Sequence, residues 1–311
     1  MNLLDLNTYD FVIMWGAGAD SEWYNNQFKV DFMVDKNQNK FGQQMGGVII
    51  KPVSYLNEID KEKKILIIVS SSKYCGDIKK EIHEMCLNAD VVELSIMKMI
   101  YCNKNISYAL WGIDILVRDL AIRGGYDISN MSYIEIGACH PIAGSNTYIM
   151  YKEGARGYLI EPNPDLQDLL KKYRNDTCLL QGIASNKGSM DFYRFDNEYR
   201  NTFDEKLAEK TRQDGFNLRD IVRLPVVTLD DVIEKYNIDT NNTFLSIQAM
   251  GLELEILQKY DYTKYNFPII AVAYYNEKIF EHPMFEYYKI IASVPRHIVL
   301  VNKEIYNRVL G

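Results

Sequence analysis

Several features are scarce or missing in this 311-residue chain, and each absence narrows its function. Basic charge is concentrated nowhere: the net charge is −7 and no long run of lysine or arginine occurs. That argues against the electrostatic footprint of a nucleic-acid binder. No CxxC pair is present. The five cysteines, Cys75, Cys86, Cys102, Cys139 and Cys178, are odd in number and widely spaced. Reduced, partly buried thiols of a cytoplasmic protein are therefore expected, rather than a zinc cluster or a disulfide framework. The opening MNLLDLNTYDFVIMWG has no basic segment, and its apolar run is only a strand long. Neither a signal peptide nor a membrane span is expected. Internal repeats and low-complexity tracts are also absent.

What is present is ordinary globular composition, 47% hydrophobic and 25% charged. It suffices for a large core, and the length suggests two domains. The 23 tyrosines fit either core or a stacking and sugar-binding surface. Strand and helix patterns alternate throughout, which predicts an α/β fold made of two Rossmann-like units. The first covers 1–105. FVIMWGAGAD is a strand feeding a glycine turn, KVDFMVD and KKILIIVSSS are further strands, and DIKKEIHEMC has helical spacing. YALWGIDILVRDLAIRGG, stopped by Gly124 and Gly125, leads into the second unit, 106–311.

There SYIEIGA is a strand ending at Gly137, and GSNTYIMYKEG a short helix capped by Ser145 or Asn146 and stopped at Gly154. RGYLIEP is the second strand. NPDLQDLLKKY is a helix with Asn163 as cap and Pro164 in its first turn. CLLQGIA is a third strand, SMDFYRF an antiparallel excursion, and TLDDVIEKY another capped helix. FLSIQAM and FPIIAVAYY are the fourth and fifth strands. The polar stretch NEYRNTFDEKLAEKTRQDGFNLRD reads as an acceptor-selecting lid or as a solvated surface helix.

A glycine turn followed one strand later by an acid is the pattern of a nucleoside site. The glycine admits a ligand to the backbone, and the acid, Glu161, accepts hydrogen bonds from ribose hydroxyls. A dinucleotide needs further glycines, because its pyrophosphate rests against a helix N-terminus. Only Gly137 is available here, before Ala138, Cys139, His140 and Pro141. That suits S-adenosylmethionine, which has no phosphate. The competing reading is a plain βαβ unit in which Glu161 simply ends a strand.

The residues that carry this pattern also carry a resemblance. YIEIGACHPIAGSNTYIMYKEGARGYLIEPNP resembles the opening of the FkbM family of S-adenosylmethionine-dependent methyltransferases. The resemblance runs on through GIASNKGSMDFYRF, NTFDEKLAEK, VVTLDDVIEKY and FLSIQAMGLELEIL, covering about residues 130–275. It implies a class I methyltransferase fold, and an acceptor hydroxyl or amine on a bacterial-type glycan, sugar precursor or small metabolite. Carried onto this chain, it implies that Glu135, Gly137 and Ala138 form the cofactor loop. Ser145, Asn146 and Thr147 would then lie over the methionine end. Glu161 would hold the ribose with Asn163 beside it, and Ala184 and Ser185, closing the third strand, would sit near the adenine.

One departure matters. The family's fourth strand reads Ser-Ile-Asp-Val-Glu-Gly, and here the positions are Ser246, Ile247, Gln248, Ala249, Met250 and Gly251. Both acids are missing, and the Glu that commonly ends the family's fifth strand is matched by Tyr274. Gln248 and Met250 offer a hard cation too little, so a carboxylate-bound metal is not expected. Glu253 and Glu255 read as favourable charge in the first turn of a helix. Three outcomes stay open: a base among His140, Tyr274 and His282, with Gln248 beside the acceptor, or proximity alone; an amine acceptor that needs little base; or a catalytically degenerate binding or scaffold module of a glycan-modification complex.

In the first unit, Gly16, Gly18 and Asp35 have the spacing of a nucleotide site, with Ser21 in place of a third glycine. The arrangement resembles the small Rossmann-like N-terminal domains of some bacterial sugar-modifying enzymes. Either a nucleotide binds there or the unit is a docking domain, with Trp15 and Trp23 as packing residues. An NAD-dependent enzyme is disfavoured, because no hydride-transfer pair is evident. Expected partners are a small-molecule or saccharide acceptor, with a second copy or a partner enzyme of glycan modification left open.

Overall fold

The structure, a computed structural model, describes residues 6–18, 21, 28–71, 74–97 and 107–310. The chain divides into two compact units, Met1–Asn105 and Ile106–Gly311. Cys102 and Trp23 lie outside the described residues. Among the described residues no helix is long and apolar enough to cross a membrane.

In the first unit the strands are β1 (Phe11–Trp15), β2 (Phe32–Asp35), β3 (Gln44–Met45), β4 (Val48–Pro52), β5 (Ile65–Val69) and β6 (Ala89–Glu93). They form one sheet in the order β3-β4-β2-β1-β5-β6. All pairings are parallel except β3 with β4. Strand β5 is buried along its whole length, which explains its unbroken apolar run. Helix α1 (Cys75–Glu84) follows it and turns Cys75, Ile78 and Ile82 inward. Trp15 is buried in this core.

The second unit carries β7 (Ser132–Ile136), β8 (Tyr158–Ile160), β9 (Thr177–Leu179), β10 (Gly182–Ile183), β11 (Gly188–Phe195), β12 (Leu218–Val227), β13 (Thr243–Ile247), β14 (Ile269–Ala273), β15 (Tyr288–Val294) and β16 (His297–Asn302). Seven strands form a sheet in the order β15-β16-β14-β13-β7-β8-β9. Strands β7, β8, β9, β13 and β14 run parallel, and β16 is antiparallel to its neighbours β14 and β15. This is an α/β fold consistent with the class I methyltransferase arrangement.

Side chains alternate between two cores. Phe244, Ile269, Ala271 and Val301 face one layer, with Ile113, Val117 and Leu120 of α2 (Ile113–Arg123). Leu245, Ile270, Val272 and Leu300 face the other, with Val232 and Ile233 of α3 (Leu229–Tyr236). The period of two thus covers both faces of one sheet. Helix α3 starts in a capping box between Thr228 and Asp231, as the sequence predicts.

Two local expectations need correction. The third strand, expected over CLLQGIA, breaks at Leu180–Gln181. Its first part, β9, ends the large sheet, while β10 pairs with β12 in a separate three-stranded sheet. The break lets the chain leave the large sheet for the antiparallel β11–β12 pair. The short helix after Gly137 begins later than expected: α4 is Tyr148–Lys152, with Thr147 as its N-cap residue. Ser145 still serves the cap from a distance, because its hydroxyl accepts from the N–H groups of Thr147 and Tyr148 at 3.2 and 3.1 Å.

Candidate functional site

The strand order reverses between β7 and β13. From β7 the chain builds outward through β8 and β9, then returns to build the other half from β13. Ligands of open α/β sheets bind outside the carboxyl ends of the strands at such a reversal. Here the two strand ends meet at Gly137 and Gln248, the Gln248 N–H donating to the Ile136 carbonyl at 2.9 Å. Gly137 has φ +75°, and a Cβ there would lie 2.1 Å from the Gln248 carbonyl oxygen. The lone glycine is therefore required by the neighbouring strand end itself. Left-handed backbone clusters around it: Cys139 and Met250 are non-glycine residues at φ +45° and +44°, a local strain typical of functional turns. Gly137→Ala is expected to cost at least about 2 kcal/mol, read as a lower urea midpoint.

Glu161 follows β8 and is only 5% exposed. One carboxylate oxygen accepts from the Cys139 N–H at 2.8 Å, and the other from the Asn163 N–H at 2.8 Å. The acid thus points at the Gly137 turn. Burial pushes its carboxyl up to about 7. Each oxygen keeps a lone pair for a further donor. Asn163 accepts from Asp165 N–H and caps the Pro164–Leu166 turn.

Glu135 is spent inside the protein. Oε2 accepts from the Ser145 and Thr147 hydroxyls at 2.9 and 2.6 Å, and Oε1 from the Asn146 N–H at 2.8 Å. The Asn146 amide donates to Ser246 on β13. All of these residues are buried. Arg174, equally buried, joins them: its guanidinium donates to Pro141 O, Thr147 Oγ1, Tyr133 OH and Asp176. Glu135, Asn146 and Thr147 therefore hold the loop in shape and present no open side chain. Arg174, which holds this network together, carries no local sequence signal, because three of its four partners lie 27 to 41 residues away.

Ala138 is buried in the core beside this loop. Ala184 and Ser185 do not close a strand of the large sheet. They follow β10, and the Ala184 N–H donates to Val227 O at 2.9 Å.

On the acceptor side, His140 does not suit a base. Its Nδ1 accepts from the N–H groups of Ile142 and Ala143 at 3.2 and 2.9 Å. The proton of the neutral ring must then sit on Nε2, leaving no nitrogen free to take another. Burial lowers the imidazole to about 4. His282 likewise accepts from Met284 N–H with Nδ1 and packs beside Tyr262. Tyr274 immediately follows β14, and its ring meets that of Phe280 in a T-shaped contact. The next residue, Tyr275, reaches the turn instead, its hydroxyl donating to Met250 Sδ at 2.9 Å.

Glu253 is the residue whose role the sequence understated. Although in the first turn of the helix Glu253–Lys259, it is only 2% exposed. Its Oε2 folds back to accept from the Gly251 N–H at 3.0 Å, and among the described residues its buried Oε1 has no partner of good hydrogen-bond geometry. A carboxyl group thus sits inside the very turn whose own positions, Gln248 and Met250, carry none. Burial pushes it up to about 7. Between pH 4.5 and 7 the unfolded chain ionises this group while the folded chain does not, so stability falls as pH rises through that window. Glu253→Gln escapes the loss. Its stability relative to wild type should improve by up to about 3 kcal/mol from pH 4 to pH 8; parallel denaturation curves at the two pH values would refute the assignment.

The stretch expected as a lid is partly packed. Its first part lies across the strand ends: Tyr199 OH donates to Ala143 O at 3.2 Å, and Thr202 Oγ1 to Met250 O at 2.5 Å. Phe203 enters the core, and the helix Glu205–Gln213 follows, capped by Asp204.

The first unit repeats the motif geometry. Its strand order reverses between β1 and β5, where a Cβ on Gly16, at φ +101°, would meet Ser70 Oγ. Asp35 accepts from the N–H groups of Ala17 and Asn37, and from Lys40 Nζ at 3.1 Å. Lys40 also donates to Ala17 O. Ser21 is buried and donates to Gly16 O. Among the described residues nothing lies within 4 Å of a Cβ built on Gly18. The acid is thus already paired with a cation.

Residues 135–297, just over half of the chain, match the family described as the methyltransferase FkbM domain. A solved structure, the crystal structure of UDP-D-quinovosamine 4-dehydrogenase from Vibrio fischeri, matches at 19% identity over 29% of this chain and 83% of that one. Its TM-score of 0.24 is too low to bear on fold or function. No curated protein matches.

Proposed function

The chain belongs to the FkbM methyltransferase-domain family, and from that premise we propose that residues 106–311 transfer a methyl group from S-adenosylmethionine to a hydroxyl or amine of a saccharide, sugar precursor or small metabolite. The observation that carries the reading is Glu161, a buried acid aimed at the Gly137 turn with lone pairs to spare. When bound, S-adenosylmethionine supplies an electrophilic methyl on a sulfonium. The turn 137–140 and Glu161 would hold its adenosine half, while the network of Glu135, Ser145, Asn146, Thr147 and Arg174 keeps that turn in register.

The protein's work is then alignment and proton removal. Glu253 is the candidate proton acceptor. A carboxyl that ionises near 7 is half available at neutral pH and strong enough to take a proton as the acceptor's lone pair attacks. What favours this over a degenerate scaffold is that, among the described residues, the buried Oε1 lacks a well-formed hydrogen bond, which is costly to keep. The first unit serves in this reading as a docking domain, because Asp35 is already satisfied by Lys40.

Isothermal titration of the whole chain with S-adenosylmethionine, S-adenosylhomocysteine and NAD, one at a time, tests the proposal. Binding of both sulfur compounds and not of NAD is expected. A folded sample that binds neither would falsify it.

A further inference from the structure

We propose that Tyr275, flanked by Arg200 and Arg296, receives the methyl acceptor, and that this acceptor carries an anionic group, phosphate or carboxylate, beside the atom to be methylated. The inference rests on the methyl-transfer reading for the word acceptor, but its charge argument stands apart from it.

Three segments from different parts of the chain meet at the carboxyl ends of β13 and β14. Arg200 belongs to the segment that Tyr199 and Thr202 tie to Ala143 and Met250. Tyr275 follows β14. Arg296 precedes β16, and its carbonyl accepts the Tyr274 N–H at 2.9 Å. The Arg296 guanidinium lies 5.2 Å from the centre of the Tyr275 ring. Thr202 Oγ1 donates to Met250 O and the Tyr275 hydroxyl to Met250 Sδ, so the segment of Arg200 and the Arg296–Tyr275 pair meet at one turn.

That convergence is unneutralised. Seven of the eleven arginines pair with a carboxylate; among the described residues Arg156, Arg200, Arg296 and Arg308 do not, and of these Arg200 and Arg296 belong to the segments at this turn. Arg200 instead stacks on Phe216 at 4.6 Å. Glu253, the nearest acid by its effect on Tyr275, bonds back to Gly251 rather than to either guanidinium. In a chain of net charge −7, two guanidinium groups without a carboxylate partner beside a partly exposed aromatic ring match a bidentate anion with an adjacent ring face. Tyr275 is 37% exposed, so the ring is reachable.

The test uses the full chain, titrated with glucose, glucose 1-phosphate, glucuronate and inorganic phosphate, with and without S-adenosylhomocysteine. The anions should bind at least about tenfold more tightly than glucose, the yield of one charge-assisted pair. Arg200→Gln and Arg296→Gln should each erase that preference with unfolding midpoints unchanged, and Arg223→Gln, a surface arginine paired with Asp191, should leave it intact. Preference for the phosphates or for glucuronate identifies the anion's source. Equal binding of glucose and its anionic derivatives overturns the proposal. So does failure of every anion to bind at millimolar concentration, or undiminished anion binding by both variants. An anion preference in a chain that ignores S-adenosylhomocysteine would uphold this site and count against methyl transfer.

Discussion

Arg174→Ala is expected to cost the second unit about 3–5 kcal/mol, the toll of removing one partner from a buried ionic network. The guanidinium ties together four groups from three places: Tyr133 on β7, Pro141 and Thr147 in the loop, and Asp176 before β9. Without it, Asp176 and Glu135 remain buried with their counter-charge gone. Glu135 depends on it doubly, since burial raises this carboxyl and Arg174 is the largest influence pulling it back down. Arg174→Lys should recover little, because one ammonium cannot reach four acceptors in the guanidinium plane. Chemical denaturation followed by tyrosine fluorescence would read the loss. A variant within 1 kcal/mol of wild type, set against the range expected for a broken buried pair, would mean that the network is ornamental to the fold.

The second large effect is on binding. Glu161→Ala should weaken S-adenosylhomocysteine binding at least about a hundredfold, the equivalent of two hydrogen bonds to a charged acceptor. Fold stability at neutral pH should hardly suffer. The carboxyl is raised from 4.5 to about 7 by burial, so it costs the folded state stability as pH rises through that window, and the cost persists above it. Loss of affinity with retained stability is the pattern of a ligand-facing acid. The opposite pattern, intact affinity with a large drop in stability, is what an acid that only braces Cys139 and Asn163 would give.

The sequence carried much of this architecture, for physical reasons that differ by element. Strands β5, β13 and β14 are buried on both faces, so their apolar runs are continuous and unmistakable. Helix caps such as Thr228 and Asn163 are local chemistry and could be read directly. The glycine turn and its acid were visible as a spaced pair. What escaped was tertiary. Nothing local to Arg174 announces that it will be buried among a tyrosine, a threonine and an aspartate. Glu253 has the spacing of a first-turn helix acid, and only the fold of the turn Gln248–Gly251 decides that it points inward. Tyr274 and Tyr275 alternate across a strand end, so a one-residue uncertainty in the alignment exchanges the packed ring for the one at the turn. The break at Leu180–Gln181 went unseen because the residues on both sides are apolar and read as one strand.

The central claim is that the Gly137 turn and Glu161 together hold an adenosine. A crystal structure of the chain grown with S-adenosylhomocysteine tests it most directly. The account predicts ribose hydroxyls within hydrogen-bonding distance of the Glu161 carboxylate, with the sulfur end directed toward Gln248 and Glu253. Ligand density at Gly16 and Asp35 instead, with the Gly137 turn empty, would contradict it.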